Sequence, residues 1–246
     1  MRKIYSIIII ALLLINCSSD SNSNDSSAFS ETGQGGSLAR FALYVDYLYV
    51  VDDSNLNVFS IVNREEPVQV NTVPIGFNIE TLFNYKNYLY IGSREGMFIY
   101  NIDNAEEPAY ISDVQHFTAC DPVVANETHA FVTLHTNTFC GADLNVLEIY
   151  DVTEINNPVL ISSRNLTQPI GLGLYNNYLI VCDDEVKVFD VSNPEDSQLV
   201  TSIDVNAFDV IINNGILVLI GENGLYQYSL DSNNITNMSH LSTINI

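Results

Sequence analysis

The fold is decided by a short stretch of the sequence, YLIVC at Tyr178–Cys182, which is followed by KVFDV at Lys187–Val191. β-branched and aromatic residues dominate both segments, as expected for β-strands. Two of the residues between the segments are Asp183 and Asp184, and Asp is typical of a turn. The pair therefore predicts a β-hairpin.

Both segments recur along the chain in the same order. The first recurs at Tyr47–Val51, Tyr88–Gly92, His129–Thr133 and Ile216–Ile220. The second recurs at Asn57–Ile61, Met97–Ile102, Glu148–Val152 and Gln227–Leu230. Measured between the second residues of the first segment, successive copies are 41, 41, 49 and 38 residues apart. A marker that returns about every 40 residues indicates a repeat architecture.

Each repeat contains about four short strands joined by turns rich in Asp, Asn, Gly and Ser, and no stretch shows sustained helical periodicity. Four strands in roughly 40 residues have the size of one propeller blade. We therefore predict an all-β fold, a β-propeller of five four-stranded blades, with repeats at about 38–78, 79–118, 119–167, 168–206 and 207–246. A β-sandwich is the alternative, but it gives no reason for a marker at a fixed interval.

The phase of the repeat also predicts how the ring closes. The first strand, Arg40–Tyr44, opens the first repeat, and the last strand, Met238–Ile246, completes the fifth. No strand is then exchanged between the two ends of the chain. Closure is expected to depend on packing of the first blade against the last.

The N-terminus has the pattern of a secretory signal. Two basic residues precede an apolar run, Ile7–Ile15, which is too short to span a bilayer. The following stretch, Leu14–Ser19, resembles the lipobox of bacterial lipoproteins. We predict a lipoprotein signal peptide at 1–17 with Cys17 as the lipidated residue, and a flexible Ser/Asn/Asp/Gly-rich tether at 18–37. An uncleaved N-terminal anchor with an incidental cysteine is the alternative.

The predicted compartment is the bacterial cell envelope, with the protein held by lipid in the outer membrane and either facing the periplasm or exposed at the surface. The formal net charge is −22, and removal of two basic residues with the signal leaves 6 − 30 = −24. Such a surface cannot neutralise phosphates, which excludes nucleic acid, and anionic lipid repels it. Membrane contact is therefore expected through the N-terminal lipid only.

Several stretches resemble bacterial lipoproteins built from LVIVD repeats. They are Gly35–Phe41, Tyr47–Asp52, Cys120–Val124, Leu179–Asp183 and Val188–Val191. The resemblance extends from about residue 34 to residue 230. It implies a β-propeller secreted by bacteria, and because the family has no settled activity it adds little about chemistry.

The chain has three cysteines besides Cys17. In a propeller blade, the start of the first strand and the connection between the second and third strands share one face, which brings Cys120 and Cys140 close together. In an oxidising envelope we expect a disulfide between them, worth on the order of 3 kcal/mol for a closed loop of about 20 residues. Two free buried thiols are the alternative. Cys182 has no partner and is expected to be a small buried residue.

Carboxylates are expected to ring one mouth of the central channel. Superposing the repeats places Glu80 and Asp121 at the start of the innermost strand, and Asp209 there too if one residue is deleted from the following turn. Arg40 begins the equivalent strand of the first repeat. Three such carboxylates could hold Ca²⁺ or Mg²⁺, which prefer oxygen ligands. The alternative is that acids at strand starts accept hydrogen bonds from exposed backbone N–H groups or pair with Arg40.

Two histidines, His116 and His135, are predicted on the same face and complete the candidate ligand-binding surface. His129 belongs to the opposite face, so it cannot join them in a zinc site. Histidines that bind nothing are the alternative.

Motifs for nucleophilic catalysis, phosphate-cradling loops and dinucleotide binding are missing from the sequence. The favoured prediction is a binding or scaffold module whose ligand is a protein or glycan of the envelope. The alternative is a metal-dependent hydrolase or lyase that acts on envelope glycans at the channel mouth. A third possibility is a purely structural envelope protein, which would have no concave polar pocket.

Overall fold

The computed structural model describes residues 36–115, 122–135 and 144–246, which form twenty β-strands in five antiparallel sheets. Blade 1 contains β1 (Phe41–Tyr44), β2 (Tyr47–Val51), β3 (Asn55–Ser60) and β4 (Val68–Pro74). Blade 2 contains β5 (Ile79–Tyr85), β6 (Tyr88–Ser93), β7 (Gly96–Asn101) and β8 (Ala109–Gln115). Blade 3 contains β9 (Val123–Ala125), β10 (His129–Leu134), β11 (Val146–Asp151) and β12 (Val159–Asn165). Blade 4 contains β13 (Leu172–Tyr175), β14 (Tyr178–Cys182), β15 (Val186–Asp190) and β16 (Gln198–Ile203), and blade 5 contains β17 (Asp209–Asn213), β18 (Ile216–Gly221), β19 (Gly224–Ser229) and β20 (Ser239–Asn245).

The prediction of an all-β propeller with five four-stranded blades is confirmed. Within each sheet the strands follow chain order, so β1 and β20 belong to different blades, and none of the described strands is exchanged between the ends. The predicted sites at Cys17, His116, Cys120, Asp121 and Cys140 lie outside the described residues. Predictions that depend on these five residues stay predictions.

The second strand of a middle blade is buried on both faces. In β6, Leu89 and Ile91 pack with blade 1, whereas Tyr90 packs with blade 3. A strand that is covered on both sides has no polar face, which explains why the repeated marker is a run of apolar residues rather than an alternating pattern.

The outer edge of each blade is irregular in the same way. The pairing between the third and fourth strands shifts by one residue in all five blades, at Val58/Phe59, Ile99/Tyr100, Ile149/Tyr150, Val188/Phe189 and Gln227/Tyr228. A β-bulge bends the strand and disturbs the ladder, which makes an exposed edge a poor template for pairing with another chain.

Three apolar clusters hold the described blades together. One joins blades 1 and 2, the largest joins blades 2, 3 and 4, and the third joins blades 4 and 5. Within the described ranges, none of these clusters contains residues of both blade 5 and blade 1. The seam between blades 5 and 1, where the ring closes, therefore lacks the apolar cluster that the described residues form at each of the other seams.

Helical structure in the described part of the chain consists of two 3-10 turns, Pro194–Asp196 and Ile235–Asn237. Accordingly, none of the described helices has the length and apolarity needed to cross a membrane.

Candidate functional site

The antiparallel strands give the ring two faces. The first strand of every blade begins at one of them, here called the upper face, and the connection from second to third strand returns to that face. Arg40 directly precedes β1, Glu80 is the second residue of β5, and Asp209 is the first residue of β17. The structure thus places these three predicted residues at the upper ends of first strands.

Asp209 is buried, with 8% of its surface exposed, and its carboxylate accepts hydrogen bonds from other groups of the chain. Its Oδ1 accepts hydrogen bonds from the Ser37 hydroxyl at 3.4 Å and from the Val210 N–H at 2.9 Å. The backbone N–H groups of Ser37 and Leu38 also donate to it. Burial raises the pKa of Asp209, and the hydrogen bonds oppose that shift because they favour the ionised form.

These donors belong to a β-turn at Gly36–Ala39, here called the closing turn, in which the Ala39 N–H donates to the Gly36 carbonyl at 3.0 Å. Ser37 is 1% exposed, and its hydroxyl oxygen accepts a hydrogen bond from the Leu172 N–H at 2.8 Å. The Ala39 carbonyl accepts one from the Leu82 N–H, also at 2.8 Å. The closing turn therefore contacts blades 2, 4 and 5.

The closing turn fastens the ring at the upper face. Because it leads directly into blade 1, its bonds to Leu172 and Asp209 tie the first blade to the last two without an exchanged strand. A Cβ at Gly36 would lie 2.2 Å from Asp209 Oδ2, so a larger residue here would displace that carboxylate. Ser37, which the sequence analysis assigned to the tether, is buried and hydrogen-bonded to Asp209 and Leu172.

Asp209 thus accepts hydrogen bonds from backbone N–H groups at a strand start. The sequence analysis did not predict that Ser37 and Leu38 supply those N–H groups. Gly35, Gly36 and Ser37 have the composition of a linker, and no local signal pairs them with a residue more than 170 positions further along the chain.

Of the two described carboxylates that were predicted at the mouth of the channel, Glu80 is the one that reaches solvent. Its Oε1 accepts a hydrogen bond from Arg94 Nε at 2.8 Å, and both side chains are partly exposed. A pair of this kind contributes about 0–1 kcal/mol to stability. Arg40 is directed elsewhere, since its guanidinium donates to the Ile79 carbonyl at 3.0 Å. The two predicted mouth residues Glu80 and Arg40 thus both bind groups of blade 2.

His135 and Cys182 are both buried. Burial and the nearby Asp209 raise the pKa of the Cys182 thiol, which keeps it protonated and unreactive. The expectation of a small buried cysteine is confirmed. Among the residues that the structure describes, no three His, Cys, Asp or Glu side chains are grouped closely enough to hold a metal ion. A site shared by Glu80, Asp121 and Asp209 stays a prediction, because Asp121 is not described.

An axial cavity lies among the first strands of four blades. It has a volume of about 10 Å³, enough for no more than about one water molecule. Its lining is apolar apart from backbone atoms and consists of Phe83, Val124, Leu172, Gly173, Leu174, Val210 and Ile212. A sugar or other organic substrate does not fit this cavity.

Comparison with known proteins shows similarity at the level of structure. No protein-family model matches the sequence, and no curated protein matches it. A crystal structure of a protein from Lactobacillus plantarum is 12% identical, with a TM-score of 0.68, and the match covers 82% of this chain and 69% of that one. The periplasmic gluconolactonase of Pseudomonas aeruginosa is 12% identical with a TM-score of 0.62, over 82% of this chain and 68% of that one. The computationally designed protein Ika8 is 10% identical with a TM-score of 0.59, over 83% and 63%.

Likeness at 10–12% identity shows the fold alone. The three proteins have different origins, and one of them was designed. The shared feature is a propeller scaffold, on which function depends on the residues of the individual site.

Proposed function

We propose that this protein is a lipid-anchored binding or scaffold module of the bacterial cell envelope, related to the LVIVD-repeat lipoproteins. The lipobox-like stretch around Cys17 supports lipid attachment. The net charge of −22 supports the need for such an anchor, because anionic lipid repels an acidic surface. The confirmed propeller is the fold that the resemblance implies.

One observation favours binding over catalysis. In the described part of the ring, the mouth carboxylates are used by the fold, since Asp209 is bound by backbone donors and Glu80 by Arg94. The axial cavity holds at most about one water molecule. The surfaces that the described blades present are suited to binding partners.

Crosslinking in intact cells tests this proposal. The full chain is crosslinked, purified under denaturing conditions and analysed for attached envelope proteins and glycans. The matched control carries residues 1–35 fused to an unrelated folded domain, so that it shares the predicted anchor but not the propeller. A defined set of partners captured by the full chain and not by the control is expected. Equal capture by both proteins would show that the propeller does not bind these partners and would refute the proposal.

A second candidate is a hydrolase that acts at the upper face, with Ca²⁺ or Mg²⁺ as its cofactor. It is supported by the similarity in fold to the periplasmic gluconolactonase and by the partly exposed Glu80. Calorimetry with Ca²⁺, Mg²⁺ and Zn²⁺, together with an assay of gluconolactone hydrolysis, discriminates the two functions. Metal binding and turnover that Glu80→Ala abolishes and Asp204→Ala preserves would favour the hydrolase.

A further inference from the structure

The seam between blades 5 and 1 exposes apolar residues that are buried at the other seams. In blade 1, Phe41 of β1 lies opposite Val50 of β2, and in blade 2 the same register places Leu82 opposite Ile91. Leu82 and Ile91 are buried in the cluster that joins blades 1 and 2. Phe41, by contrast, is 52% exposed although it belongs to a first strand, and Val50 is only partly buried.

The facing surface of blade 5 shows the same difference. In blade 4, Ile180 lies opposite Val188, and both are buried in the cluster shared with blade 5. The equivalent position of Ile180 in blade 5 is Val218, which is only partly buried. Ile220 and Leu225 lie opposite each other one step closer to the upper face, and they too are only partly buried.

Both surfaces therefore have the apolar composition of faces that pack against a neighbouring blade, but in the described chain neither is fully covered. The closing turn at 36–39 holds the two blades together at the upper face through Asp209. We call these two facing surfaces of blades 5 and 1, with the space between them, the open seam. Exposed contiguous apolar surface on a soluble protein marks an interaction site.

The two blades that border the open seam are strongly acidic. Residues 204–246 contain neither Lys nor Arg and have three acids besides the buried Asp209, and residues 40–74 contain five acids and two Arg. One of those, Arg40, donates to the Ile79 carbonyl and is thus directed towards blade 2.

Asp52 supplies a fixed negative charge at the rim of the seam. Hydrogen bonds from the Ser54 N–H and the Asn57 amide lower the pKa of Asp52 to about 2, so it is ionised at physiological pH. Asn57 lies opposite Val50 in the ladder and thus on the surface that faces blade 5.

We propose that the open seam is the docking site for a peptide segment of a partner protein that combines large apolar side chains with Lys or Arg. This inference rests on the proposed binding function. The apolar side chains of the partner would cover Phe41 and Val218, and its basic side chains would meet Asp52 at the rim and the acidic surfaces of the two blades. A second copy of this chain is disfavoured as the occupant because two molecules of charge −22 repel each other, and an anionic membrane is disfavoured for the same reason.

Fluorescence anisotropy with synthetic peptides tests the proposal on the full chain. The probe is a hexapeptide with Phe, Leu and Val at its four central positions and Lys at both ends. Two matched peptides carry Glu in place of Lys, or Ser in place of the apolar residues. We expect binding of the first peptide that weakens as salt is raised, and at least tenfold weaker binding of the other two. No binding of the Lys-flanked peptide would overturn the proposal.

Variants on opposite sides of the open seam locate the site. Phe41→Asp and Val218→Asp are each expected to weaken binding of the Lys-flanked peptide at least tenfold. The control is Leu199→Asp, because Leu199 is 53% exposed on the outer strand of blade 4 and thus matches Phe41 in exposure. Phe41→Ser serves if an Asp variant has a lowered melting temperature. Equal binding by wild type, Phe41→Asp and Val218→Asp would refute the site.

Three further measurements distinguish failure of the proposed seam site from failure of the proposed binding function. Hydroxyl-radical footprinting of the full chain alone is expected to oxidise Phe41 as readily as the other exposed aromatic residues, and protection of Phe41 would mean that this chain covers its own seam, which overturns the proposal. Light scattering is expected to show a monomer. In-cell crosslinking with Phe41→Asp then distinguishes the two levels of inference. Partners that persist with this variant would refute the seam but keep the binding function, whereas no partners with wild type would refute the binding function itself.

Discussion

Replacing Asp209 by alanine tests whether this residue fastens the ring. The substitution removes the acceptor for the N–H groups of Ser37 and Leu38, which belong to the closing turn. Each buried donor left without a partner costs about 1–3 kcal/mol, hence roughly 2–6 kcal/mol for two. Removing a buried carboxylate returns part of its desolvation penalty, so we expect a net loss of about 2–4 kcal/mol in the free energy of unfolding.

Urea unfolding at pH 7 measures the free energy, and thermal melting measures the same effect as a Tm lowered by roughly 4–16 °C, at about 2–4 °C per kcal/mol for a domain of this size. Asp204→Ala is the matched control, because Asp204 is an exposed acid in the same connection between blades 4 and 5. It is expected to change stability by no more than about 0.5 kcal/mol. If Asp209→Ala were as stable as Asp204→Ala, the proposed closure would be refuted.

The pH dependence of the same variant gives an independent check. Burial raises the pKa of Asp209 above its ordinary value of 3.8, so the folded state binds this proton more tightly than the unfolded state. The stabilising contribution of the group is then complete below the pKa of the unfolded state and is lost as pH rises through the pKa of the folded state. The difference in unfolding free energy between wild type and Asp209→Ala should therefore be larger at pH 4 than at pH 7.

Four other predictions concern the seams, a thiol, a glycine and the anchor. Leu82→Ala should cost about 2–5 kcal/mol in urea unfolding, whereas Phe41→Ala at the equivalent, exposed position should cost less than about 1 kcal/mol, and equal costs would show that the last seam is packed like the others. Cys182 should resist iodoacetamide in the native protein and react after unfolding, as followed by peptide mass spectrometry. Gly36→Ala should destabilise by about 1–3 kcal/mol, because its Cβ displaces the Asp209 carboxylate. Cys17→Ser should move the protein from the membrane fraction to the soluble fraction, and an unchanged distribution would contradict lipid anchoring.

The repeat made the blades predictable. A central strand such as β6 is covered by a blade on each side, so its sequence is apolar throughout, and the same requirement returns at every blade. The repeated segment at Tyr178–Cys182 is therefore apolar because its strand is buried on both faces. The phase of the marker also assigned the first and last strands to their own blades, because each copy begins and ends at the same point of the sheet.

The candidate site was predictable in part. The repeat placed Glu80 and Asp209 near the starts of first strands, but they are not equivalent in register, because Asp209 pairs with Ile220 whereas the equivalent residue Gly92 pairs with Thr81. It did not show that one acid is buried under the closing turn while the other pairs with Arg94. Those outcomes depend on side chains contributed by other parts of the chain, which alignment of repeats does not include.

The sequence by itself determined the number of blades, their order and the residue types that face each neighbour, since these follow from local strand patterns that recur along one dimension. Only the tertiary structure decided which of those faces are covered. Phe41 and Leu82 are both large apolar residues at the same register position, yet one is 52% exposed and the other 1%. The burial of a side chain depends on which residues pack against it in three dimensions. Where the ring closes, those residues come from the opposite end of the chain.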